Sequence, residues 1–180
     1  MKKLVKIDLP EELDKAMSEE LDALVEKYRA QSVYHPELVD LGLPSGRLWA
    51  DKNIGANAPE DHGDMMDHYD ACVYIYANGL KTPSREDFDE LDEHCEHEWT
   101  EVNGVKGMKF TSKENGNSVF FPASGYRYGT SLNGRGSRGF YWSSSLLSSA
   151  YGYDLDFYSG GVDPADDSSR FYGFSVRAVQ

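Results

Sequence analysis

The sequence predicts an α+β protein, and three observations lead to that class. Apolar residues recur at helical spacing in the first half of the chain, over residues 10–32, 65–78 and 84–95. Apolar and polar residues alternate, as they do in strands, through much of residues 99–179. Hydrophobic residues make up 39% of the 180 residues, which is enough for a packed core. Helices in one part of a chain and strands in another are typical of the α+β class.

The N-terminal segment is predicted to form one helix over residues 10–32. Pro10 takes the first turn, where a missing N–H is tolerated, and Glu11 follows at the positive end of the helix dipole. Two functions for this helix stay open, docking on the chain's own domain and self-association into a homo-oligomer through residues 10–32. We therefore treat residues 1–35 as a separate docking or oligomerisation segment. The apolar stripe that would make either contact is Leu13, Met17, Leu21, Leu24 and Tyr28.

Two further helices are predicted near the front of the domain that spans residues 36–180. Residues 65–76 have a helical rhythm that stops at Asn78–Gly79. Ser84, with Asp87 three residues later, has the spacing of a capping box. The buried stripe of the helix that follows Ser84 is Phe88, Leu91 and Cys95.

Short strands are predicted for the rest of the domain. Asn-Gly pairs at 103–104 and 115–116 indicate hairpin turns between strands. In "YDLDFY", alternation places Leu155 and Phe157 on one face and Asp154, Asp156 and Tyr158 on the other. In "GFSVRAV", the same alternation points Phe174, Val176 and Ala178 inward, opposite Ser175 and Arg177. We therefore expect one core face and one exposed face rich in Tyr, Asp and Gly.

Charge and composition exclude several classes of function. A formal net charge of −13 and a pI near 4.7 argue against binding to nucleic acid or to an anionic membrane surface. No apolar run approaches the roughly 20 residues that span a bilayer, so we expect no membrane insertion. The start of the chain reaches Asp8, Pro10 and Glu11 before an apolar signal core develops. The expected location is a virion or the cytoplasm, with surface exposure only through another export route.

The C-terminal segment differs in composition from the rest of the chain. Residues 139–180 contain neither Lys nor Glu, and every Lys and Glu lies at or before Glu114. Tyr, Ser, Gly and Asp replace them, a set close to that of antibody binding loops. Tyr offers a large amphipathic contact area with few torsions to freeze, so it binds at low entropy cost. This composition favours a recognition surface, although strand-rich proteins can also carry many tyrosines.

Six motifs carry a family resemblance, and they appear in order between Val39 and Val179. They are "VDLGLPSGRLWADKNIGA", "PEDHGD", "TPSREDFDEL", "VFFPASGYR", "GFYWSSS" and "RFYGFSVRAV". With them the chain resembles the Fibrobacter succinogenes major paralogous domain, and especially the variable proteins of diversity-generating retroelements. The resemblance implies a C-type-lectin-like domain over 36–180 with an added N-terminal helix. The chain departs from the family after "PEDHGD", where "MMDHYDACVYIY" replaces a Trp-Gly segment.

The resemblance implies that a retroelement rewrites the C-terminal codons. Randomising the first two bases of an AAC codon cannot produce Lys, Glu, Gln, Met or Trp, and residues 143–179 contain none of these. The implied variable segment is about 146–172. Its implied ligand-binding residues are Leu146, Leu147, Ser148, Ser149, Asp154, Asp156, Tyr158, Gly161, Asp163, Ala165, Asp166, Asp167, Ser168, Phe171 and Tyr172.

The expected function is therefore non-enzymatic binding of a variable protein or glycan on a cell surface, for phage or cell attachment. The alternative is an invariant structural or assembly domain of a virion or surface complex.

Catalytic, metal and cofactor chemistry is not expected. In "EDHGDMMDHYD", His62 and His68 are six residues apart rather than four, so they do not share a helix face. "HCEHEW" offers a single thiol, and "DPADD" lacks a matching Glu or Asn for calcium. No histidine follows the serine run 143–145, so a nucleophile with a downstream His base is not predicted. We predict no enzyme activity, no metal and no cofactor.

Overall fold

A computed structural model describes residues 35–73 and 79–180. The chain divides into two units between Val33 and Tyr34, and the first unit lies outside the described residues. The predictions for residues 10–32 fall there. The described residues form ten strands and two helices, given in chain order. They are β1 (Leu38–Asp40), β2 (Leu48–Ala50), α1 (His68–Val73), α2 (Arg85–His94), β3 (Cys95–Val102), β4 (Val105–Ser112), β5 (Ser118–Pro122), β6 (Tyr126–Tyr128), β7 (Ser131–Asn133), β8 (Arg138–Leu146), β9 (Tyr151–Tyr158) and β10 (Gly161–Ser169).

Two three-stranded antiparallel sheets dominate the fold. Strands β3, β4 and β5 pair in sequence order, and so do β8, β9 and β10. Smaller two-stranded sheets join β1 to β2 and β6 to β7. Asn103 and Gly104 both adopt positive φ in the two-residue turn between β3 and β4, as a twisted hairpin requires. The Asn-Gly turn predicted there is confirmed.

Strands β8 and β9 are buried on both faces of their sheet, whereas every residue of β10 is exposed or half-buried. On one face, Tyr141, Leu155 and Phe157 join a cluster that includes Phe110 and Phe121 of the other large sheet. On the opposite face, Phe140 and Trp142 pack with the C-terminal residues that follow β10. The ring of Phe174 stacks on that of Trp142 with centroids 4.1 Å apart. Strand β10 and the ends of β8 and β9 are therefore the parts of this sheet that a partner can reach.

The C-terminal segment is held in place by a buried arginine. The guanidinium of Arg177 donates to Oδ1 of Asn53 at 3.0 Å and to the carbonyl oxygens of Ala50 and Phe120 at 3.0 and 2.8 Å. The expectation that Ser175 and Arg177 face away from the core is wrong, because both are fully buried. Alternation shows which residues share a face, but it does not show that a second layer covers the other face.

The predicted fold class, an α+β C-type-lectin-like domain with an added helix, is wrong. Of the described residues, 47% lie in strands and 11% in two helices, so the fold is β-rich. The helical spacing of residues 65–78 yields only the short helix α1, with residues 74–78 outside the description. The strand hairpins, in contrast, are long, with eight or nine residues in each strand of the sheet β8–β9–β10.

The predicted capping box is confirmed at the start of α2. The Ser84 side chain accepts from the backbone N–H of Asp87 at 3.2 Å, and the Asp87 carboxylate accepts from that of Ser84 at 2.8 Å. Phe88 and Leu91 are fully buried, as the apolar stripe predicted. Cys95 is also buried, but it ends the helix as the first residue of β3.

Candidate ligand-binding surface of the C-terminal sheet

Exposed large apolar side chains concentrate in the C-terminal segment. Nine large hydrophobic residues are exposed in the described part of the chain, and five of them fall within residues 146–172. Exposing a Leu, Phe or Tyr side chain to water has a free-energy cost, and groups of such residues often mark contact sites. The five residues are Leu146, Leu147, Tyr151, Tyr158 and Phe171.

The hairpin between β8 and β9 presents three of these side chains at one end of the sheet. Leu146, Leu147 and Tyr151 are each about half exposed. The Ser148 hydroxyl accepts hydrogen bonds from the backbone N–H groups of Ala150 and Tyr151, at 3.2 and 3.1 Å. Because the short Ser148 side chain satisfies these backbone N–H groups, the turn does not need the larger side chains beside it. Those side chains remain exposed and available for contact with a partner.

The other end of β9 presents Tyr158 beside a charged pair. The Tyr158 ring is 49% exposed, and the Arg138 guanidinium lies 5.9 Å from its centroid. Arg138 also donates from Nε to Oδ1 of Asp156 at 3.2 Å and from Nη2 to Oδ2. This pairing raises the pKa of Arg138, mainly through the hydrogen bonds that Arg138 donates to the Asp156 carboxylate.

The structure divides the predicted binding residues into an accessible set and a buried pair. Thirteen of the fifteen are exposed or half-exposed, including all four from Leu146 to Ser149. Asp154 is fully buried and Asp156 is 6% exposed. The expectation that these two aspartates lie on an exposed face is wrong, because the residues after β10 cover their face of the sheet. Whether any of the fifteen residues binds a ligand stays a prediction.

Asp154 is buried without a counter-charge. Neither carboxyl oxygen makes a hydrogen bond of good geometry to the described residues. Burial raises the pKa of Asp154 well above its ordinary value, and the carboxylate of Asp166 raises it further. The Ser168 hydroxyl lies close enough to lower this pKa, but the lowering is smaller than the increase. Burial also raises the pKa of Asp156, against the opposing effect of Arg138.

An aromatic pocket of about 180 Å³ opens on the same face of the sheet. The rings of Tyr126 and Tyr172 lie 5.5 Å apart, and those of Phe140 and Phe174 lie 5.1 Å apart. Arg138 and Ser168 complete the wall. We call this feature the aromatic pocket, and its lining residues are Tyr126, Arg138, Phe140, Ser168, Tyr172 and Phe174.

Several residues of this surface lie outside the predicted segment. Tyr126, Tyr128, Arg138 and Phe140 precede residue 146, yet Tyr126 and Tyr128 contact the ring of Tyr172. Their proximity depends on the β6–β7 hairpin folding back onto the end of the chain. A sequence signal was present in "GYRYG", which has the tyrosine richness of the later segment.

Burial shifts the pKa values of Cys95, His62 and His68 in the direction that favours their neutral forms. Burial raises the pKa of the Cys95 thiol to about 11, so it is not a ready nucleophile. Burial lowers the pKa of both His62 and His68, which favours their neutral forms. Residues 35–73 and 79–180 contain no group of three or more His, Cys, Asp or Glu side chains that could hold a metal ion. Within these same ranges, no helix is long and apolar enough to cross a membrane.

Comparisons with known proteins add one similarity. Residues 96–179 match the model of a family described as a domain of unknown function (DUF8237). The match starts in β3 and extends past β10, so it includes both large sheets and the aromatic pocket. No curated protein and no solved structure matches the chain.

Proposed function

We propose that this protein is a non-enzymatic ligand-binding protein whose C-terminal surface is diversified by a retroelement. Its role is attachment of a phage or cell to a variable protein or glycan on another cell surface. The observation that carries the proposal is the concentration of exposed Leu, Tyr and Phe side chains within residues 146–172. Most large apolar side chains elsewhere in the described chain are buried.

The surface has the physical properties that a diversified site requires. Its exposed residues are attached to strands whose other side chains, such as Leu155 and Phe157, are fully buried. A substitution at an exposed residue usually changes stability by less than about 0.5 kcal/mol, whereas truncating a buried Phe costs about 3–5 kcal/mol. The exposed positions can therefore change without loss of the fold. The amino-acid types of residues 143–179 agree with the codon restriction that the family resemblance implies.

The DNA around the gene tests the diversification. We expect a nearby near-copy of the sequence that encodes residues 146–172, with adenines at the bases where the two copies differ. Codons for Tyr158 and Phe171 should contain such bases, whereas codons for Leu155 and Phe157 should match. A genome without any near-copy contradicts diversification and favours the invariant structural domain.

A library tests whether the surface tolerates variation. We expect variants randomised at Leu146, Tyr158 and Phe171 to keep cooperative unfolding and a melting temperature near that of the parent. A matched library at Leu155, Phe157 and Phe174 should be mostly unfolded. Equal damage in the two libraries contradicts a binding surface supported by a separate core.

A further inference from the structure

We propose that the aromatic pocket binds an alkylammonium cation carried by the partner. The inference rests on the proposed function, because Ser168 and Tyr172 belong to the same surface. It adds the chemical class of ligand that the surface of this chain recognises. Three observations carry it: the rings of the pocket, the surplus of carboxyl groups beside them, and the unpartnered carboxyl of Asp154.

The pocket is lined mainly by aromatic rings. Tyr126, Phe140, Tyr172 and Phe174 form a continuous group, with neighbouring centroids 5.1 to 6.0 Å apart. Aromatic faces carry negative partial charge and attract cations within about 6 Å of the ring centroid. The chain already places one cation in this position, since the Arg138 guanidinium lies 4.8 Å from the Phe140 centroid. Phe140 and Phe174 are almost fully buried, so the half-buried rings of Tyr126 and Tyr172 are the ones that a second cation can reach.

The charges beside the pocket are mostly negative. Asp154 pairs directly across the strands with Asp166, and Asp156 pairs with Asp163, so all four share one region of the sheet. Arg138 is a cation of the pocket wall, and its guanidinium is already bonded to Asp156. A positively charged ligand would offset the negative charge of these carboxyl groups, whereas an anionic ligand would add to it.

Asp154 is the carboxyl group that most needs a counter-charge. Its side chain is fully buried, and neither oxygen makes a hydrogen bond of good geometry to the described residues. The three largest charge effects on it all come from other carboxylates, Asp166, Asp156 and Asp167. Asp154 does not line the pocket itself, but Ser168, which lowers the pKa of Asp154, lies in the pocket wall and connects the two. An unpaired buried carboxyl is costly, and a nearby ammonium group would stabilise its ionised form.

An organic cation fits these features better than a metal ion. Calcium and magnesium prefer six or more oxygen ligands, but four of the six lining residues are aromatic. No group of metal-ligating side chains occurs in residues 35–73 or 79–180. An alkylammonium group places its methyl or methylene carbons on the rings and keeps its charge near the carboxyl groups.

Titration of the full chain with choline tests the inference. The neutral control is neohexyl alcohol, in which carbon replaces the choline nitrogen. We expect choline to bind in the millimolar range, with NMR shifts of the Tyr126 and Tyr172 ring signals, and neohexyl alcohol to bind at least about tenfold more weakly. Equal binding of the two compounds, or no choline binding, overturns the inference.

Variants locate the site. Asp154→Asn and Tyr172→Leu should each weaken choline binding by about tenfold, whereas Tyr172→Phe keeps the ring and should keep the affinity. Tyr69→Leu is the matched control, because it changes an exposed tyrosine that does not line the pocket. Unchanged affinity in Asp154→Asn contradicts the inference, and this nearly isosteric variant remains informative if Tyr172→Leu does not fold.

Choline binding by the pocket and diversification of residues 146–172 can each fail without the other. Variation in codons 146–172 without choline binding would support the diversified surface and refute the cation pocket. Choline binding in a chain whose segment is invariant would support the pocket and refute diversification.

Discussion

Replacing Asp154 by Asn is expected to stabilise the protein increasingly as the pH rises. Burial and the neighbouring Asp166 raise the folded-state pKa of Asp154 well above that of an unfolded aspartate, about 3.9. Below that value both states are protonated, and the group's contribution to stability is fully present. As the pH rises towards the folded-state pKa, the unfolded state ionises while the folded state keeps its proton. The contribution is therefore lost with increasing pH.

The size of this pH dependence follows from the one proton that Asp154 takes up when the chain folds. Where only the unfolded state is ionised, the wild-type free energy of unfolding falls by about 1.4 kcal/mol per pH unit from this group. Asn does not titrate, so its advantage should grow by that amount for each unit above about pH 5, up to the folded-state pKa. Each kcal/mol corresponds to about 3 °C in melting temperature for a domain of this size.

Urea unfolding of both proteins at several pH values, followed by tryptophan fluorescence, measures this slope. The control is Asp163→Asn, which changes an exposed carboxylate in the same strand pair and should alter stability by less than about 0.5 kcal/mol. A difference between wild type and Asp154→Asn that does not change with pH would refute the reasoning. So would an Asn variant that is less stable throughout the range.

Three further predictions concern the frame that supports the surface. Ser84→Ala removes the capping-box hydrogen bond that the Ser84 hydroxyl accepts from the backbone N–H of Asp87, and it should cost about 1 kcal/mol in urea unfolding. A larger effect of Ser148→Ala would contradict this. Gly139→Ala places a methyl group 2.0 Å from the buried Phe157 ring and should cost about 1–3 kcal/mol, whereas Gly161→Ala meets no atom within 4 Å and should be tolerated. In a Cys72→Ser background, Cys95 should resist thiol reagents at pH 8 until the protein unfolds, because burial raises its pKa to about 11. Rapid labelling of the folded protein would contradict its burial.

Local signals predicted the elements whose determinants are close in sequence. The capping box of Ser84 and the Asn103–Gly104 turn depend on residues within a few positions of each other, and both are present. The alternation in residues 153–158 correctly placed Leu155 and Phe157 in one core cluster. These features follow from backbone geometry and short-range hydrogen bonds, so a single sequence is sufficient to predict them.

Features that depend on distant parts of the chain were not predicted. Asp154 and Asp156 alternate with core residues, which in a sheet with one solvated face would expose them. They are buried because the residues after β10 cover their face, with Phe174 stacked on Trp142. The fold class failed for a related reason, because the described residues hold ten strands and only two helices, and local spacing does not show how many strands pair. The aromatic pocket likewise brings Tyr126 to Tyr172, and no local pattern predicts that contact.

Deep sequencing of codons 139–180 in the natural population of this gene tests the central proposal most directly. We expect substitutions to concentrate at exposed positions such as Leu146, Tyr158 and Phe171, with Leu155, Phe157 and Phe174 nearly constant. A uniform segment, or substitutions spread equally over exposed and buried positions, would contradict a diversified binding surface.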